Sequence, residues 1–286
     1  MKIIVGKNAG FCYGVKRAVD GAKEELSKGD SNICCLGEIV HNKDVVKTLE
    51  QNGMKFIDNI LETTGTTIIR AHGVPKEVYE LAKQKNIIIK DYTCPKVINI
   101  HEIAEKYANK GYFIFLTGSK KHPENIGTIS FCGNNYYLIE NEEMVNEAIK
   151  SFKESNINKL LLISQTTFSV EKFNKIQKLI KDQISSDVEI SIKNTICAAT
   201  KIRQEEVSEL AKTVNKMIII GGKNSSNTKK LYEISKSICE DTISIENVKE
   251  LDLKYFDKKD EIGIMAGAST PQESINEVIE TLNNLV

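Results

Sequence analysis

The sequence predicts an α/β protein of three similar units, each a small parallel sheet with crossover helices, arranged in a pseudo-three-fold ring around a central cavity. Two observations predict it. Short β-branched runs alternate with charged amphipathic stretches from one end of the chain to the other. The order strand, cysteine-bearing turn, helix also occurs three times, which marks an internal repeat.

In the first occurrence residues 2–5 read as a strand, 8–12 as the turn ending in Cys12, and 15–26 as a helix. In the second, 87–90 are the strand, 91–95 the turn with Cys94, and a helix runs through 101–107. In the third, 188–192 alternate with period two, 194–200 carry Cys197, and 201–214 place Ile202, Val207, Leu210, Ala211 and Val214 near one helical face. After each of these helices comes a strand with a polar end, at 36–42, 116–124 and 220–228, and then a second, at 69–75, 163–167 and 265–271. The third unit ends without its own cysteine strand, so the N-terminal strand carrying Cys12 is expected to complete it. The predicted units are therefore 14–95, 96–194, and 195–286 with 1–13. Pro75, Pro95, Pro123 and Pro271 all fall in polar turns, as expected where prolines open helices. Helix N-termini then point beyond the strand ends, where open α/β sheets bind ligands.

Composition excludes several partners. Lys plus Arg and Asp plus Glu both total 39, so the net charge is zero and no electrostatic drive toward nucleic acid or an anionic membrane is expected. No apolar stretch approaches the ~20 residues a spanning helix needs. The start of the chain is too short in apolar residues for a signal peptide, and a cytoplasmic location is expected. Seven scattered cysteines fit a reducing compartment and thiol or metal chemistry better than a disulfide framework.

Cys12, Cys94 and Cys197 share one address, the turn from a strand into a helix. With no C-x-x-C pair in the chain, any site they form must be assembled by the fold. Soft thiolates select zinc or iron–sulfur clusters, and three of them leave one coordination position open to substrate. Cys34 and Cys35 lie in an apolar strand, Cys132 in a strand-like segment and Cys239 in a helical run; these four read as structural. His41, His72 and His122 stand in polar turns and suit an anionic group, while His101 is mid-helix and reads as structural. Ser225, Ser226 and Asn227, and Ser269 with Thr270, follow glycine-containing strand ends and offer neutral donors to phosphate oxygens. Only three arginines, Arg17, Arg70 and Arg203, are present, so imidazoles and neutral donors must replace the usual guanidinium clamp. Glu124, in His122-Pro123-Glu124, is a candidate proton donor if its cavity is dry, or else a helix-start carboxylate satisfying backbone N–H groups. Thr166 or Thr167 could relay its proton. No G-x-S-x-G, H-E-x-x-H or Walker loop supports a common hydrolase or nucleotide reading.

Taken in order, these turns resemble the LytB family of 4-hydroxy-3-methylbut-2-enyl diphosphate reductases across nearly the whole chain. The matching stretches are Gly10-Phe-Cys-Tyr-Gly-Val15, Val40-His-Asn42, Ala71-His-Gly-Val-Pro75, Thr93-Cys-Pro95, His122-Pro-Glu124 with Gly127-Thr128, and Gln165-Thr-Thr167. Thr195-Ile-Cys197 with Arg203-Gln204, Asn224-Ser-Ser-Asn227 and Ala266-Gly-Ala-Ser269 complete the set. The resemblance implies a [4Fe–4S] cluster held by Cys12, Cys94 and Cys197, with one iron not ligated by cysteine that meets the allylic hydroxyl of the substrate. It implies a diphosphate gripped by His41, His72, His122, Ser225, Ser226, Asn227 and Ser269, and a proton supplied by Glu124 through Thr166. It further implies ferredoxin or flavodoxin as electron donor, isopentenyl and dimethylallyl diphosphate as products, and a monomer. Three positions depart from the family pattern: Tyr13 where many relatives have Ala, Asn125 where an apolar residue commonly follows the Glu, and Phe168 where Leu is frequent. Rival readings are a zinc hydrolase or lyase using three thiolates, and an electron carrier that would need no anion cradle.

Overall fold

The structure, a computed structural model, describes residues 1–29 and 32–285; Asp30 and Ser31 of the first predicted unit and Val286 of the third lie outside the described residues. The described residues form three four-stranded parallel sheets with helices, the α/β class expected. Two compact units divide the chain: Met1–Val19 with Val40–Asn52 and Ala198–Val286, and Asp20–Ile39 with Gly53–Cys197.

The first unit holds the sheet β1 (Lys2–Val5), β10 (Lys216–Ile220), β11 (Thr242–Ile245) and β12 (Glu261–Ala266), in the order β1-β12-β10-β11. Ile218, Ile220, Ile262 and Ile264 face Ile275, Val278 and Leu282 of α10 (Gln272–Asn283). The alternate residues Met217, Ile219 and Met265 pack on Val207 and Leu210 of α8 (Ala198–Ala211) and Leu231 of α9 (Ser226–Lys236). Strand residues point alternately to opposite faces, and both faces are covered, which is why these strands read as continuous apolar runs. The N-terminal strand joins this sheet in parallel, Lys2 opposite Glu261 through Val5 opposite Ile264. In the same unit α2 (Lys43–Gln51) starts from Asn42, whose side chain accepts from the Asp44 and Val45 amides at 3.1 Å each.

The second unit holds two sheets. β2 (Ile33–Leu36), β3 (Lys55–Ile57), β4 (Thr66–Ile69) and β5 (Ile89–Asp91) run in the order β3-β2-β4-β5. β6 (Phe113–Thr117), β7 (Tyr136–Ile139), β8 (Lys159–Ser164) and β9 (Glu189–Ile192) run β7-β6-β8-β9. Phe113, Phe115, Leu160 and Leu162 pack on Phe152 of α6 (Val145–Glu154) and Phe173 and Ile176 of α7 (Val170–Gln183). Ile114, Leu116, Leu161 and Ile163 take the other face with Ile100 and Ala104 of α4 (Pro95–Ala108). Each of the three sheets has the same strand order, and β1 holds in its sheet the place that β5 and β9 hold in theirs.

Several local expectations change. Pro95 and Pro123 open α4 and α5 (Pro123–Ile129), but Pro75 and Pro271 sit one position earlier, as caps of α3 (Lys76–Gln84) and α10. The first helix, α1, is Tyr13–Ser27, and α8 starts at Ala198; both begin immediately after a cysteine rather than a few residues on. Cys132 is not in a strand. It follows α5 in a turn, where its thiol contacts the Thr128 carbonyl at 3.4 Å and its side chain joins the core between α4 and β6. Cys239 lies just past the end of α9, its amide donating to the Ser235 carbonyl at 2.8 Å.

Candidate active site

Cys12, Cys94 and Cys197 each occupy the last position before a helix, and each amide donates to the carbonyl of a strand-end loop. Cys12 pairs with Ala268 at 3.0 Å, Cys94 with Ala71 at 3.0 Å and Cys197 with Thr166 at 2.9 Å. One backbone bond thus fixes all three thiols in the same way. They are partly exposed, whereas Cys34, Cys35, Cys132 and Cys239 are buried. Burial pushes the Cys35 and Cys132 thiols up to about 12, which keeps both neutral. Each of these thiols by itself suits a soft metal or an iron–sulfur centre, being partly exposed and beside helix N–H groups that stabilise a metal-bound thiolate.

In the first unit the polar turns draw His41, the Ser225–Asn227 loop and Ser269 together. The Ser269 hydroxyl donates to the His41 carbonyl at 3.2 Å. A Cβ at Gly222 would lie 2.4 Å from that same carbonyl, so the approach of this loop to His41 requires glycine. Ser225 caps α9 by accepting from the Thr228 amide at 3.3 Å. Asn227 is 3% exposed, yet neither its Oδ1 nor its Nδ2 has a partner, and the Thr228 hydroxyl is also unpaired. Buried amides are ordinarily satisfied; this one has both atoms open at the start of an eleven-residue helix, where N–H groups favour hydrogen-bond acceptors.

The second unit brings together His72, His122, Glu124 and Thr166. The two imidazoles meet edge to face, with centroids 5.3 Å apart. His122 Nδ1 accepts from the Glu124 amide at 3.2 Å, capping α5. Its other nitrogen therefore carries the ring proton in the neutral form and can donate to an anion. The Glu124 carboxyl does not serve the amides of its own helix. It takes the Thr166 amide on Oε1 at 2.6 Å and the Thr166 hydroxyl on Oε2 at 2.5 Å. Glu124 is 1% exposed, and burial raises its carboxyl to about 7 against the opposing effect of the two Thr166 donors. A carboxyl so poised is half protonated near neutrality, which suits a proton donor.

Sequence reasoning missed the braces behind these residues. Arg203, singled out in the sequence for the scarcity of arginine and as part of the family pattern but given no role, donates from Nη2 to the Gly10 carbonyl at 2.8 Å. Glu206 accepts from the Lys7 amide at 2.5 Å and the Asn8 amide at 3.0 Å. The loop before Cys12 is thereby fastened to α8. Both residues lie a helical turn or two beyond Cys197, and no spacing signal tells that they serve a different cysteine. His101, read from the sequence as structural, is 6% exposed and stacks on Phe131 at 4.4 Å.

Parallel sheets with Cys12, Cys94, Cys197, His41, His72, His122 and the buried Glu124 in the turns and first helical positions beyond their strands define an α/β enzyme that draws its chemistry from separate loops. A profile of the LytB protein family matches residues 3–283, and the chain belongs to that family. It is 43% identical over 290 residues to the 4-hydroxy-3-methylbut-2-enyl diphosphate reductase of Clostridioides difficile, covering 100% of both chains. It is 41% identical to the protein of that name from Caldanaerobacter subterraneus, covering 100% of this chain and 98% of the relative. Among solved structures it resembles an (E)-4-hydroxy-3-methyl-but-2-enyl diphosphate reductase described as the terminal enzyme of the non-mevalonate pathway, with TM-score 0.71, 39% identity and 99% of both chains covered. It also resembles the corresponding Plasmodium falciparum reductase, with TM-score 0.89, 29% identity, and 99% of this chain and 88% of that one covered.

Proposed function

We propose that this chain reduces 4-hydroxy-3-methylbut-2-enyl diphosphate, removing its allylic hydroxyl with two electrons and two protons to give isopentenyl or dimethylallyl diphosphate and water. The observation that carries the reading is Glu124, a buried carboxyl near its midpoint at neutral pH and bonded twice to Thr166. When Glu124 is protonated, its O–H donates to Thr166 Oγ, and the Thr166 hydroxyl donates onward to the departing oxygen. A hydroxyl leaves far more readily as water than as hydroxide, so a proton held at this oxygen lowers the barrier.

His41, His72, His122, Ser225, Ser226, Asn227 and Ser269 hold the diphosphate. The unpaired Asn227 amide supports this role, since phosphate oxygens accept from Nδ2. Cys12, Cys94 and Cys197 hold a [4Fe–4S] cluster that keeps one iron free of cysteine. Such a group supplies electrons one at a time and a Lewis-acidic metal that polarises a carbon–oxygen bond. Ferredoxin or flavodoxin provides the electrons. The protein works as a cytoplasmic monomer, with no nucleic acid or membrane as partner. The repeats 14–95, 96–194 and 195–286 with 1–13 are the units that present the loops. Among the described residues no helix is long and apolar enough to cross a membrane.

Anaerobically purified protein should contain iron and acid-labile sulfide, and with reduced ferredoxin it should consume the allylic diphosphate. Zinc without sulfide would refute the cluster, and inert protein with a full complement of iron and sulfide would refute the substrate.

A further inference from the structure

We propose that Asn125 is a positioning residue, whose side-chain amide acts through Gln165 to hold the Thr166 loop against the Glu124 carboxyl. The inference rests on the reading of Glu124 as the proton donor. Asn125 follows Glu124 in the first turn of α5 and is fully buried. Its Nδ2 donates to Gln165 Oε1 at 2.9 Å and to the Ser119 carbonyl at 2.8 Å. Gln165 immediately precedes Thr166, and each of its side-chain ends is engaged. Oε1 also accepts from the Ser119 amide at 3.0 Å, and Nε2 donates to Thr167 Oγ1 at 2.7 Å. The residues on both sides of the Thr166–Glu124 pair are therefore tied to one another by side-chain amides.

Two features argue that this tie does more than fill space. Asn125 Oδ1 is buried with no partner, a cost that an apolar side chain of the same size would avoid. Gly118 has φ +152°, and a Cβ there would lie 2.3 Å from Asn125 Nδ2 and 2.7 Å from Gln165 Oε1. The backbone thus gives up a side chain where the two amides meet. Short bonds such as those from Thr166 to Glu124 lengthen with small shifts of the loop, and proton transfer is sensitive to such displacements.

The test compares Asn125→Leu, Gln165→Leu, the double variant and Glu124→Gln in cluster-loaded enzyme; Asn125→Val replaces the first if leucine is not accommodated. Asn125→Leu should lower kcat about tenfold with KM within about twofold, because the acid loses its alignment and not its substrate. Glu124 should also hold its proton to higher pH as the Thr166 donors loosen. An infrared titration of the protonated carboxyl, identified by its absence in Glu124→Gln, reads this independently of turnover. The double variant should lose no more than the worse single variant. Wild-type kcat and an unmoved carboxyl titration in Asn125→Leu, or losses that multiply in the double variant, would overturn the clamp alone, provided Glu124→Gln is inactive. Normal turnover in Glu124→Gln would instead overturn the reading of Glu124, and the clamp with it.

Discussion

Glu124 is surrounded so that its proton is available at neutral pH. Burial raises its carboxyl to about 7, and activity that depends on the protonated form should fall as pH rises through that value. Glu124→Gln should retain diphosphate affinity and lose about 10²–10⁴-fold in kcat, checked by single-turnover kinetics beside a binding titration. Asn227 makes the complementary case. Its two unpaired atoms have nothing to lose in the free protein, so Asn227→Ala should weaken substrate binding by about tenfold while leaving the melting temperature nearly unchanged. Calorimetric titration with the diphosphate would detect this, and undiminished affinity would remove Asn227 from the cradle.

At the scale of elements, α4 and α5 carry two buried groups with opposite linkage to pH: protonation of His101 opposes folding and protonation of Glu124 favours it. A Cβ at Gly127 of α5 would lie 3.5 Å from Nε2 of His101 on α4, a nitrogen buried without a partner. Burial holds the His101 imidazole down at about 4, outweighing the opposing pull of Asp91. The unfolded chain binds that proton first, so His101 favours folding above about pH 6.5, and its contribution is lost as pH falls toward 4. Glu124 runs the other way: its contribution is full below about 4.5 and is lost as pH rises through about 7. Each is on the order of 3 kcal/mol, and the two run in opposite directions over nearly the same window. Denaturant unfolding should expose the hidden terms: Glu124→Gln should lose stability from pH 7 to 5, and His101→Phe should gain it. The loop at the end of β6 depends on Gly118 in the same local way. Gly118→Ala meets Asn125 Nδ2 at 2.3 Å with φ +152°, and should destabilise the protein by about 1–3 kcal/mol in thermal melts.

For the molecule as a whole, Cys12, Cys94 and Cys197 each hold the same structural position, immediately before α1, α4 and α8. Replacing any of Cys12, Cys94 or Cys197 by Ser should remove most bound iron and sulfide, whereas Cys132→Ser and Cys239→Ser should leave both in place. Because a ligand that binds only the folded state stabilises it, the loaded protein should also melt above the metal-free form, and this difference should shrink in the first three variants. Retained iron in one of them would drop that cysteine from the set.

The sequence by itself determined the α/β class, the threefold recurrence of the cysteine turns and the membership of the polar turns in one ordered pattern. These are local properties: β-branched runs, helical periodicity, and turn residues at strand ends report on their own segment and require no partner. Residues 2–5 even told that the N-terminal strand completes the last sheet, because the third repeat was left without one. Tertiary structure alone decided what surrounds each side chain. Only folding brought Thr166 onto Glu124 and so separated a poised acid from an ordinary helix-start carboxylate. Arg203 became a brace for Gly10, Asn227 lost every internal partner, and Cys132 moved from an expected strand into a turn, for the same reason. Burial and hydrogen bonding depend on residues far apart in the chain, and no one-dimensional pattern carries that information.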